Sequence, residues 1–368
     1  MSFFQKLFAK GAPSIIGLDI GSTTIKLAQI AKTSSGLKLI KLAIQQTPSL
    51  AIKDGTIVDP GAIAQEIKDM VKKHNVLAKQ VVSAVSGQPI VIRTITMPAM
   101  TQKELDNSIR YEAERYIPYS VAEANISGHI LRKQLPGDDK NMEVLLMAAP
   151  KEMINNHQET INQSGLQVEA IELEPVALPR IMGLTIGQEE LKQTIALINI
   201  GAGSTSITIV KEGILRNSRT IAIGGNSFTK AIAQGMNLSF EDAEKLKKEK
   251  GAIRIEKDAT PVAPTVMRLF NTVLPTLTEL VTEIQRSFDF YRSRYRGESV
   301  DLIYLSGGSA KFKNLDRYLG GELGVHVELL RPFQKLSDTK VPGFTAEEAE
   351  EVEQASAVVL GLACRHLN

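Results

Sequence analysis

The chain contains 368 residues, with 43 Lys and Arg, 41 Asp and Glu, and a formal net charge of +2. This length exceeds one ordinary hydrophobic core and predicts two domains, while the balanced charge gives no general attraction for nucleic acid. The single cysteine, Cys364, excludes an intramolecular disulfide and any metal or iron-sulfur site built from the cysteines of one chain.

The first ten residues carry an amphipathic pattern. Phe3, Phe4, Leu7 and Phe8 fall on one face of a helix predicted over residues 2–10. We interpret it as a helix that covers its own domain or a partner, because its few lysines attract anionic lipid only weakly. The absence of a signal peptide and of a membrane-spanning apolar run predicts a cytoplasmic protein.

The next segment alternates strands with a helix. Apolar residues over 15–20, 24–30 and 37–43 predict a three-stranded meander. Residues 60–74 place apolar side chains on one helical stripe and precede a predicted strand over 81–85. This alternation predicts an α/β domain.

A different pattern begins at Gly87. Thr101 and Glu104 have the spacing of a capping box, and the helix that they start is expected to end near Pro118. We therefore interpret residues 87–165 as a subdomain inserted into the first domain. Its other predicted elements are strands over 90–96, 127–134 and 143–149 and a helix over 151–164.

Two stretches of the chain repeat one another. The sequence LDIGSTT at 18–24 is echoed by INIGAGST at 198–205, and each leaves one apolar strand and enters another. This repeat predicts a fold that is built twice. Between the two copies, Glu174 and Pro175 lead into an apolar helix that ends near Gly183 and joins the halves.

The second half continues the alternation of helices and strands. A charged helix, a long amphipathic helix, a buried strand that leads into the sequence SGGS, and a single terminal helix are predicted in that order over residues 239–250, 277–291, 301–309 and 347–365.

The first loop of the repeat carries groups that suit a polyphosphate. Gly21 lets a phosphate approach the backbone closely, and Ser22 and Thr23 add amide and hydroxyl donors. Lys26 is near enough to reach a phosphate oxygen, and Asp19 is placed to hold Mg²⁺ through water. Taken alone, this motif is more typical of an ordinary tight turn.

Two further loops change that balance. The second loop, at 201–205, predicts another phosphate cradle. The third loop, the sequence SGGS at 306–309, offers adenine a flat backbone surface without side chains. The order and spacing of the three loops predict a nucleotide cleft between two domains. The ligand-binding residues predicted in these two loops are Gly201, Ala202, Gly203, Ser204, Thr205, Gly307, Gly308 and Ser309.

A charged pair on the predicted helix over 239–250 is a further candidate. Glu244 and Lys247 are three residues apart and share a face, where a carboxylate suits ribose hydroxyls and an ammonium suits a base. On spacing alone, the alternative is an ion pair on a solvated surface.

These motifs resemble those of the actin superfamily, which includes the DnaK-type chaperones and the sugar kinases. The resemblance implies a duplicated, ribonuclease H-like α/β ATPase fold that binds ATP and Mg²⁺. It implies that Glu174 places the attacking water, and that Glu244 and Lys247 meet the ribose and the base.

One position departs from the pattern of that superfamily. Asn199 stands where the second phosphate motif commonly has an Asp that assists Mg²⁺ and the attacking water. We therefore take Glu174 and Asn199 as the catalytic candidates, with Mg²⁺ held through water by Asp19 and Asn199. Slow or absent hydrolysis is expected, and Asn199→Asp is expected to raise the rate if the missing charge limits it.

The inserted segment narrows the resemblance further. Its position is that of the extra subdomain in the cell-division protein FtsA. The sequences RYEAERYIPY at 110–119 and EIQRSFDFY at 283–291 are similar to segments of the PilM family of type IV pilus assembly proteins.

That similarity implies a place at the inner face of the bacterial inner membrane and a grip on the cytoplasmic N-terminal tail of PilN. The inserted subdomain would be the docking surface, with Tyr111 and Tyr116 as candidate anchors, unless they belong to the core. Pilus motor ATPases, other platform components and further copies of the chain are additional candidate partners.

The resemblance also predicts a division of the chain. The expected segments are the first part of the core of domain I at 1–86, the FtsA-like α+β insert at 87–165, the rest of domain I with the connecting helix at 166–190, the core of domain II at 191–225, its outer helical part at 226–299, the core with the adenosine loop at 300–345, and a terminal helix that returns to domain I at 346–368.

Other members of the superfamily remain as alternatives. A small-molecule kinase would need a substrate pocket with an Asp or Glu base, and the sequence carries no signature of one. The activator ATPases of hydroxyacyl-CoA dehydration need cysteines for a bridging cluster, and this chain has one cysteine. An FtsA-like protein that forms filaments in cell division or in the control of cell shape stays open.

Overall fold

The computed structural model describes residues 15–135, 137–255, 263–295, 297–336 and 340–367. The helix predicted over residues 2–10 lies outside these ranges. Within them, no helix combines the length and the apolar character needed to cross a bilayer.

Strands and helices alternate along the described chain. The first half contains β1 (Ile15–Ile20), β2 (Thr24–Thr33), β3 (Gly36–Gln46), β4 (Ile52–Lys53), β5 (Thr56–Ile57), α1 (Pro60–Lys73), β6 (Gln80–Val85), β7 (Val91–Pro98), α2 (Gln102–Ala113), β8 (Ala124–Arg132), β9 (Asn141–Pro150), α3 (Lys151–Gln163), β10 (Gln167–Leu173) and α4 (Glu174–Thr185). The second half contains β11 (Thr194–Ile200), β12 (Thr205–Lys211), β13 (Ile214–Ile221), α5 (Gly225–Met236), α6 (Phe240–Lys250), α7 (Pro264–Arg294), β14 (Leu302–Ser306), α8 (Leu315–Leu323), β15 (His326–Leu329), α9 (Ala346–Val352) and α10 (Ala357–Ala363).

Each domain is built on the same arrangement of strands. In domain I, the antiparallel meander β1-β2-β3 is extended by β6, which runs parallel to β1, and then by β10. In domain II, the meander β11-β12-β13 is extended by β14, parallel to β11, and then by β15. The duplicated two-domain α/β fold expected from the sequence is confirmed.

Two helices fill the space between the domains. Side chains of α4 and α10 share one buried apolar cluster with residues from both sheets. The backbones of these elements approach closely. A Cβ on Gly17 would lie only 2.3 Å from the Val359 carbonyl oxygen, and one on Gly361 would lie 2.2 Å from the Ala177 carbonyl oxygen. Glycine is therefore required where α10 meets β1 and α4.

The strands of the insert continue the sheet of domain II. The order β15-β14-β11-β12-β13-β7-β9-β8 forms one eight-stranded sheet, in which β13 and β7 pair through Asn217 with Arg93 and Ser218 with Ile92. Beside this junction, Arg216 and Glu143 form a buried ion pair at 2.7 Å. We call the β13–β7 pairing the seam, and no pattern in the sequence predicts it.

Several predicted helix ends differ from the structure, and the long helix predicted over 277–291 begins at Pro264 as α7. The helix begun by the capping box of Thr101 and Glu104 ends at Ala113, before the expected limit near Pro118. The terminal helix predicted as one over 347–365 is interrupted between α9 and α10 by a short 3-10 turn. The interruption buries Glu353, whose carboxylate accepts a hydrogen bond from the Phe333 backbone N–H at 3.1 Å.

Candidate functional site

Parallel strands place the carboxyl ends of the central strands at one edge of each sheet. The first loop follows β1, Ser86 follows β6, and Glu174 follows β10 at the edge of the domain I sheet. The second loop follows β11 and the third follows β14 at the edge of the domain II sheet. Ligands of open α/β sheets bind at such edges.

The first loop is a tight turn with an open tip. The Gly21 backbone N–H donates to the Thr24 carbonyl at 3.1 Å, and the Thr47 hydroxyl donates to the Gly21 carbonyl at 2.6 Å. Ser22 and Thr23 are exposed at the tip. Their amides and hydroxyls are therefore available to an anionic ligand.

Asp19 and Lys26 neutralise one another directly behind this tip. They are cross-strand partners in the β1–β2 register, and the Lys26 Nζ lies 2.9 Å from the Asp19 Oδ2. Their side chains are only 19% and 10% exposed, respectively. Lys26, predicted to bind phosphate, and Asp19, predicted to hold Mg²⁺, are thus paired with one another. Each would partly neutralise the charge that the other offers to a ligand.

The second loop is braced by neighbouring backbone groups. The Gly201 carbonyl accepts from the Gly225 N–H at 2.9 Å, and the Ala202 carbonyl accepts from the Asn226 N–H at 2.8 Å. Thr205 is fully buried, and its hydroxyl donates to the Ile223 carbonyl at 2.6 Å. The Thr205 hydroxyl therefore supports the loop from within, while the loop itself lies at Gly201 to Ser204.

The first and second loops come from different domains and meet. A Cβ built on Gly203 would lie 3.0 Å from the Ser22 Oγ. This proximity places the backbone of one loop beside the exposed tip of the other, and a side chain at position 203 would require the Ser22 Oγ to shift. Both loops can therefore address the same ligand.

Glu174 bridges the two domains below these loops. Its Oε1 accepts hydrogen bonds from the Asn199 Nδ2 at 2.6 Å and from the Ser206 Oγ at 2.8 Å. The Oδ1 of Asn199 in turn accepts from the Ser306 Oγ at 3.2 Å. The amide of Asn199 is thus engaged at both ends, and its orientation is fixed by the need to donate to a carboxylate.

Burial raises the pKa of Glu174, and the nearby Asp19 carboxylate raises it further. Hydrogen bonds from Asn199, Ser206 and Ser86 favour the ionised form and partly offset these effects. Glu174 is therefore a carboxyl group whose ionisation depends on the partners that domain II supplies.

The third loop combines one buried glycine with one exposed glycine. Gly307 has φ +89°, and a Cβ there would lie 2.4 Å from the Ile200 carbonyl oxygen. Its N–H donates to the carbonyl of Gln354, at the interruption between α9 and α10, at 2.9 Å. Gly308 is exposed, and Ser309 donates to the Gly201 carbonyl at 3.2 Å, which joins the third loop to the second.

The charged pair on α6 lies beside Gly225, whose backbone N–H braces the second loop. The Lys247 Nζ contacts the Glu244 Oε2 at 2.6 Å and donates to the Gly225 carbonyl at 3.0 Å and to the Thr229 hydroxyl at 2.8 Å. Burial lowers the pKa of Lys247. Burial opposes ionisation of Glu244 too, but hydrogen bonds from Lys247 and Thr229 outweigh it, so the pKa of Glu244 lies below its usual value. The pair is partly buried beside the second loop.

Sequence reasoning missed the turn before α5. A Cβ on Gly224 would lie 2.6 Å from the Ala202 carbonyl oxygen, and one on Gly225 would lie 2.3 Å from the Ser309 Oγ. These two glycines therefore hold the second and third loops together. The signal was present, since a glycine pair follows a strand and opens a helix here, as at Gly307 and Gly308.

The donor set suits Mg²⁺ that keeps most of its waters. Among the described residues, no three His, Cys, Asp or Glu side chains cluster as metal ligands. Asp19 offers a single carboxylate behind the loops, and Mg²⁺ is typically bound by one or two carboxylates with phosphate oxygens and water.

A separate cavity of about 570 Å³ lies beside β15 and the end of α4. Glu190, Tyr304, Glu328 and Arg331 are among its lining residues, and no residue of the three loops is. The site described above therefore rests on convergent loops and hydrogen bonds, independently of this cavity.

Comparison with known proteins identifies the family. Residues 17–367 match the family described as Type IV pilus assembly protein PilM. This chain belongs to the PilM family. A chain of the solved PilM-PilN type IV pilus biogenesis complex superposes with a TM-score of 0.82 at 29% identity, over 96% of this chain and 99% of that one. The resemblance drawn from the sequence is thereby confirmed.

More distant relatives share the fold of this PilM-family chain. Cell division protein FtsA of Streptococcus pneumoniae serotype 2 is 24% identical over 355 residues, which are 86% of this chain and 75% of the relative. FtsA of Bacillus subtilis is 25% identical over 258 residues, or 64% and 58%. MreB5 of Spiroplasma citri bound to AMPPNP superposes with a TM-score of 0.56 at 15% identity over 97% of both chains, which supports the actin-like fold alone.

Proposed function

We propose that this PilM-family chain binds ATP and Mg²⁺ between its two domains and acts as a cytoplasmic scaffold for type IV pilus assembly. Its place would be the inner face of the bacterial inner membrane, where it would hold the cytoplasmic N-terminal tail of PilN. The observation that carries the nucleotide part is the close approach of the two loops, in which a Cβ built on Gly203 of domain II would lie 3.0 Å from the Ser22 Oγ of domain I. The family match carries the pilus part.

Each loop has a role in this proposal. The amides and hydroxyls at Gly21, Ser22 and Thr23 would meet the phosphates from one side, and the backbone of Gly201 to Ser204 would meet them from the other. Asp19 would hold Mg²⁺ through water, and Lys26 would balance its charge. Ribose and adenine would lie near Glu244, Lys247, Gly307, Gly308 and Ser309.

The proposal favours binding over rapid turnover. Bound Mg-ATP would supply the terminal phosphate that a water molecule attacks in hydrolysis. The Glu174 Oε1 already accepts two hydrogen bonds, from Asn199 and Ser206, which reduces its ability to take a proton from water. Neutral Asn199 adds no charge to this position. Slow or absent hydrolysis therefore accompanies the scaffold role.

A first test removes the approach of phosphate to the first loop. Gly21→Val is expected to weaken binding of a fluorescent ATP analogue by roughly tenfold or more, because a Cβ there would lie 3.0 Å from the Thr24 carbonyl oxygen and its branched side chain would crowd the turn that meets the phosphate. The control is Gly321→Val in α8, where a Cβ meets nothing within 4 Å. Equal affinity of Gly21→Val and wild type would remove this loop from the site.

The insert is the proposed surface for the PilN tail. Tyr111 is 82% exposed on α2 and is available as an anchor, whereas Tyr116 packs against the apolar core of the insert. The relative solved as a PilM-PilN complex supports this choice of partner. Binding of pilus motor ATPases, of other platform components and of further copies of the chain belongs to the same proposal.

A peptide titration tests the partner. A labelled peptide of the PilN cytoplasmic tail is expected to bind the full chain, and Tyr111→Ala is expected to weaken binding by about tenfold. Leu77→Ala is the control, since Leu77 is 85% exposed in domain I, outside the insert. Absence of binding, together with nucleotide-dependent sedimentation of the chain, would favour an FtsA-like filament protein instead.

A further inference from the structure

We infer that His157 and Ser83 are positioning residues that hold the first loop and couple it to the insert through α3. The His157 Nε2 lies 2.7 Å from the Ser83 Oγ, which lies 2.6 Å from the Leu18 carbonyl oxygen. The Leu18 carbonyl belongs to the peptide group that leads into Asp19. The three residues form a continuous hydrogen-bonded chain, called the α3 relay here.

The direction of each hydrogen bond in the α3 relay is fixed by proton counting. The Ser83 hydroxyl has one proton, and the Leu18 carbonyl can only accept it. His157 must therefore donate its Nε2–H to the Ser83 oxygen. Burial lowers the pKa of His157 to about 4, against a smaller raising effect of Asp19, so the imidazole is neutral at physiological pH. The relay thus has one tautomer and one orientation.

Burial makes the relay a rigid connection. Ser83 is fully buried and His157 is 4% exposed, so neither side chain is open to a substrate. A histidine beside a serine in the open would suggest a nucleophile and its base, but here the serine proton is committed to the backbone. The chemistry is that of a structural linkage.

Residues 87–165 were predicted as one insert, but α3 packs on the core of domain I, and it connects the relay to the β7, β9 and β8 strands of the insert. It begins directly after β9, the strand that lies between β7 and β8. Its Ile161 lies in the apolar core of domain I, and its Asn156 donates to the Ile57 carbonyl at 3.2 Å. A displacement of β9 therefore moves α3 against domain I, and His157 is where this movement reaches the strand that carries the first loop.

If His157 were only a buried, hydrogen-bonded residue of the core, its replacement would have a different consequence. Losing it would lower overall stability without a local effect at Asp19 to Thr24. A positioning role predicts a local change in that turn, even when the rest of the fold is intact. Only the expected change in ATP affinity rests on the proposed function. The hydrogen bonds of the relay are present without a ligand, so the expected change in the first loop does not depend on it.

The experiment compares four variants in the full chain. Ser83→Ala and His157→Leu break the relay, whereas His157→Gln keeps an N–H donor. Thr160→Val is the matched control: Thr160 is fully buried on α3, and its hydroxyl bonds within the helix to the Asn156 carbonyl. Amide hydrogen exchange over residues 19–24 is measured without nucleotide, and affinity for a fluorescent ATP analogue is measured separately.

The relay-breaking variants are expected to exchange the amides of residues 19–24 about three- to tenfold faster and to bind the analogue about three- to tenfold more weakly, which is the effect of losing one hydrogen bond. His157→Gln is expected to stay near wild type, as is Thr160→Val. Unchanged exchange in Ser83→Ala and His157→Leu, or an equal change in Thr160→Val, would overturn the inference. If wild type binds no analogue, the proposed function fails, while the exchange measurement still decides the relay.

Discussion

Asn199→Asp is expected to destabilise the protein by roughly 2–4 kcal/mol at neutral pH, because Glu174 loses a donated hydrogen bond and gains a like charge in a buried site. The two side chains are in direct contact, with the Asn199 Nδ2 only 2.6 Å from the Glu174 Oε1. Chemical unfolding of wild type and variant measures the difference. The sequence alone suggested intact nucleotide binding and, if the missing charge limits turnover, faster ATP hydrolysis for this change.

The deficit is expected to depend on pH with a definite sign. Two carboxyl groups in contact raise the pKa of the pair in the folded state above the unfolded value, so the folded state binds more protons. The loss of stability is therefore complete at alkaline pH and shrinks as the pH falls through the raised pKa. Asn199→Ser removes the hydrogen bond that lowers the pKa of Glu174 but adds no charge, so it is expected to show a weaker dependence of the same sign.

A second change tests the same contact by exchanging the partners. Combining Asn199→Asp with Glu174→Gln places the amide on α4 and the carboxylate on β11, and it is expected to recover most of the lost stability. Failure of the double variant to recover, with a pH-independent deficit in Asn199→Asp, would show that electrostatic contact with Glu174 is not the cause.

Gly307→Ala is expected to cost roughly 3–5 kcal/mol, since its φ of +89° belongs to a region that glycine alone occupies readily and a Cβ would lie 2.4 Å from the Ile200 carbonyl oxygen. The strain would also displace the Gly307 N–H from the Gln354 carbonyl. Thermal unfolding measures the loss.

The neighbouring glycine separates folding from binding. A Cβ on Gly308 would meet only the Ala355 Cβ at 4.0 Å, so Gly308→Ala is expected to fold as stably as wild type. If adenine lies on this loop, the same variant is expected to weaken ATP binding by about tenfold. Full ATP affinity in Gly308→Ala would move the base away from the third loop.

Local sequence signals were sufficient for the loops and most elements. The LDIGSTT and INIGAGST repeats predicted two meanders, and the register places Asp19 opposite Lys26 and Asn199 opposite Ser206 in matching positions. The spacing of the glycines predicted positions where a side chain would clash, such as Gly307. These features depend on neighbours in the chain, which is why the sequence carries them.

Contacts between distant segments were beyond that reasoning. Thr205 was predicted to face a ligand, but its hydroxyl is used by the Ile223 carbonyl. Asn199 was judged by the charge it lacks, whereas its role in the structure depends on Glu174, which lies in another domain. The interruption of the terminal helix depends on Phe333 and Gly307, which no helical periodicity reveals.

The seam makes the insert a cover for one edge of the domain II sheet. Without β7, the β13 edge of the domain II sheet would present unpaired N–H and C=O groups from residues such as Asn217 and Ser218. Such edges recruit strands from other molecules and promote aggregation. The insert, which we propose as the docking surface, therefore also shields the molecule from unwanted partners, and deleting it would confuse lost recognition with lost solubility.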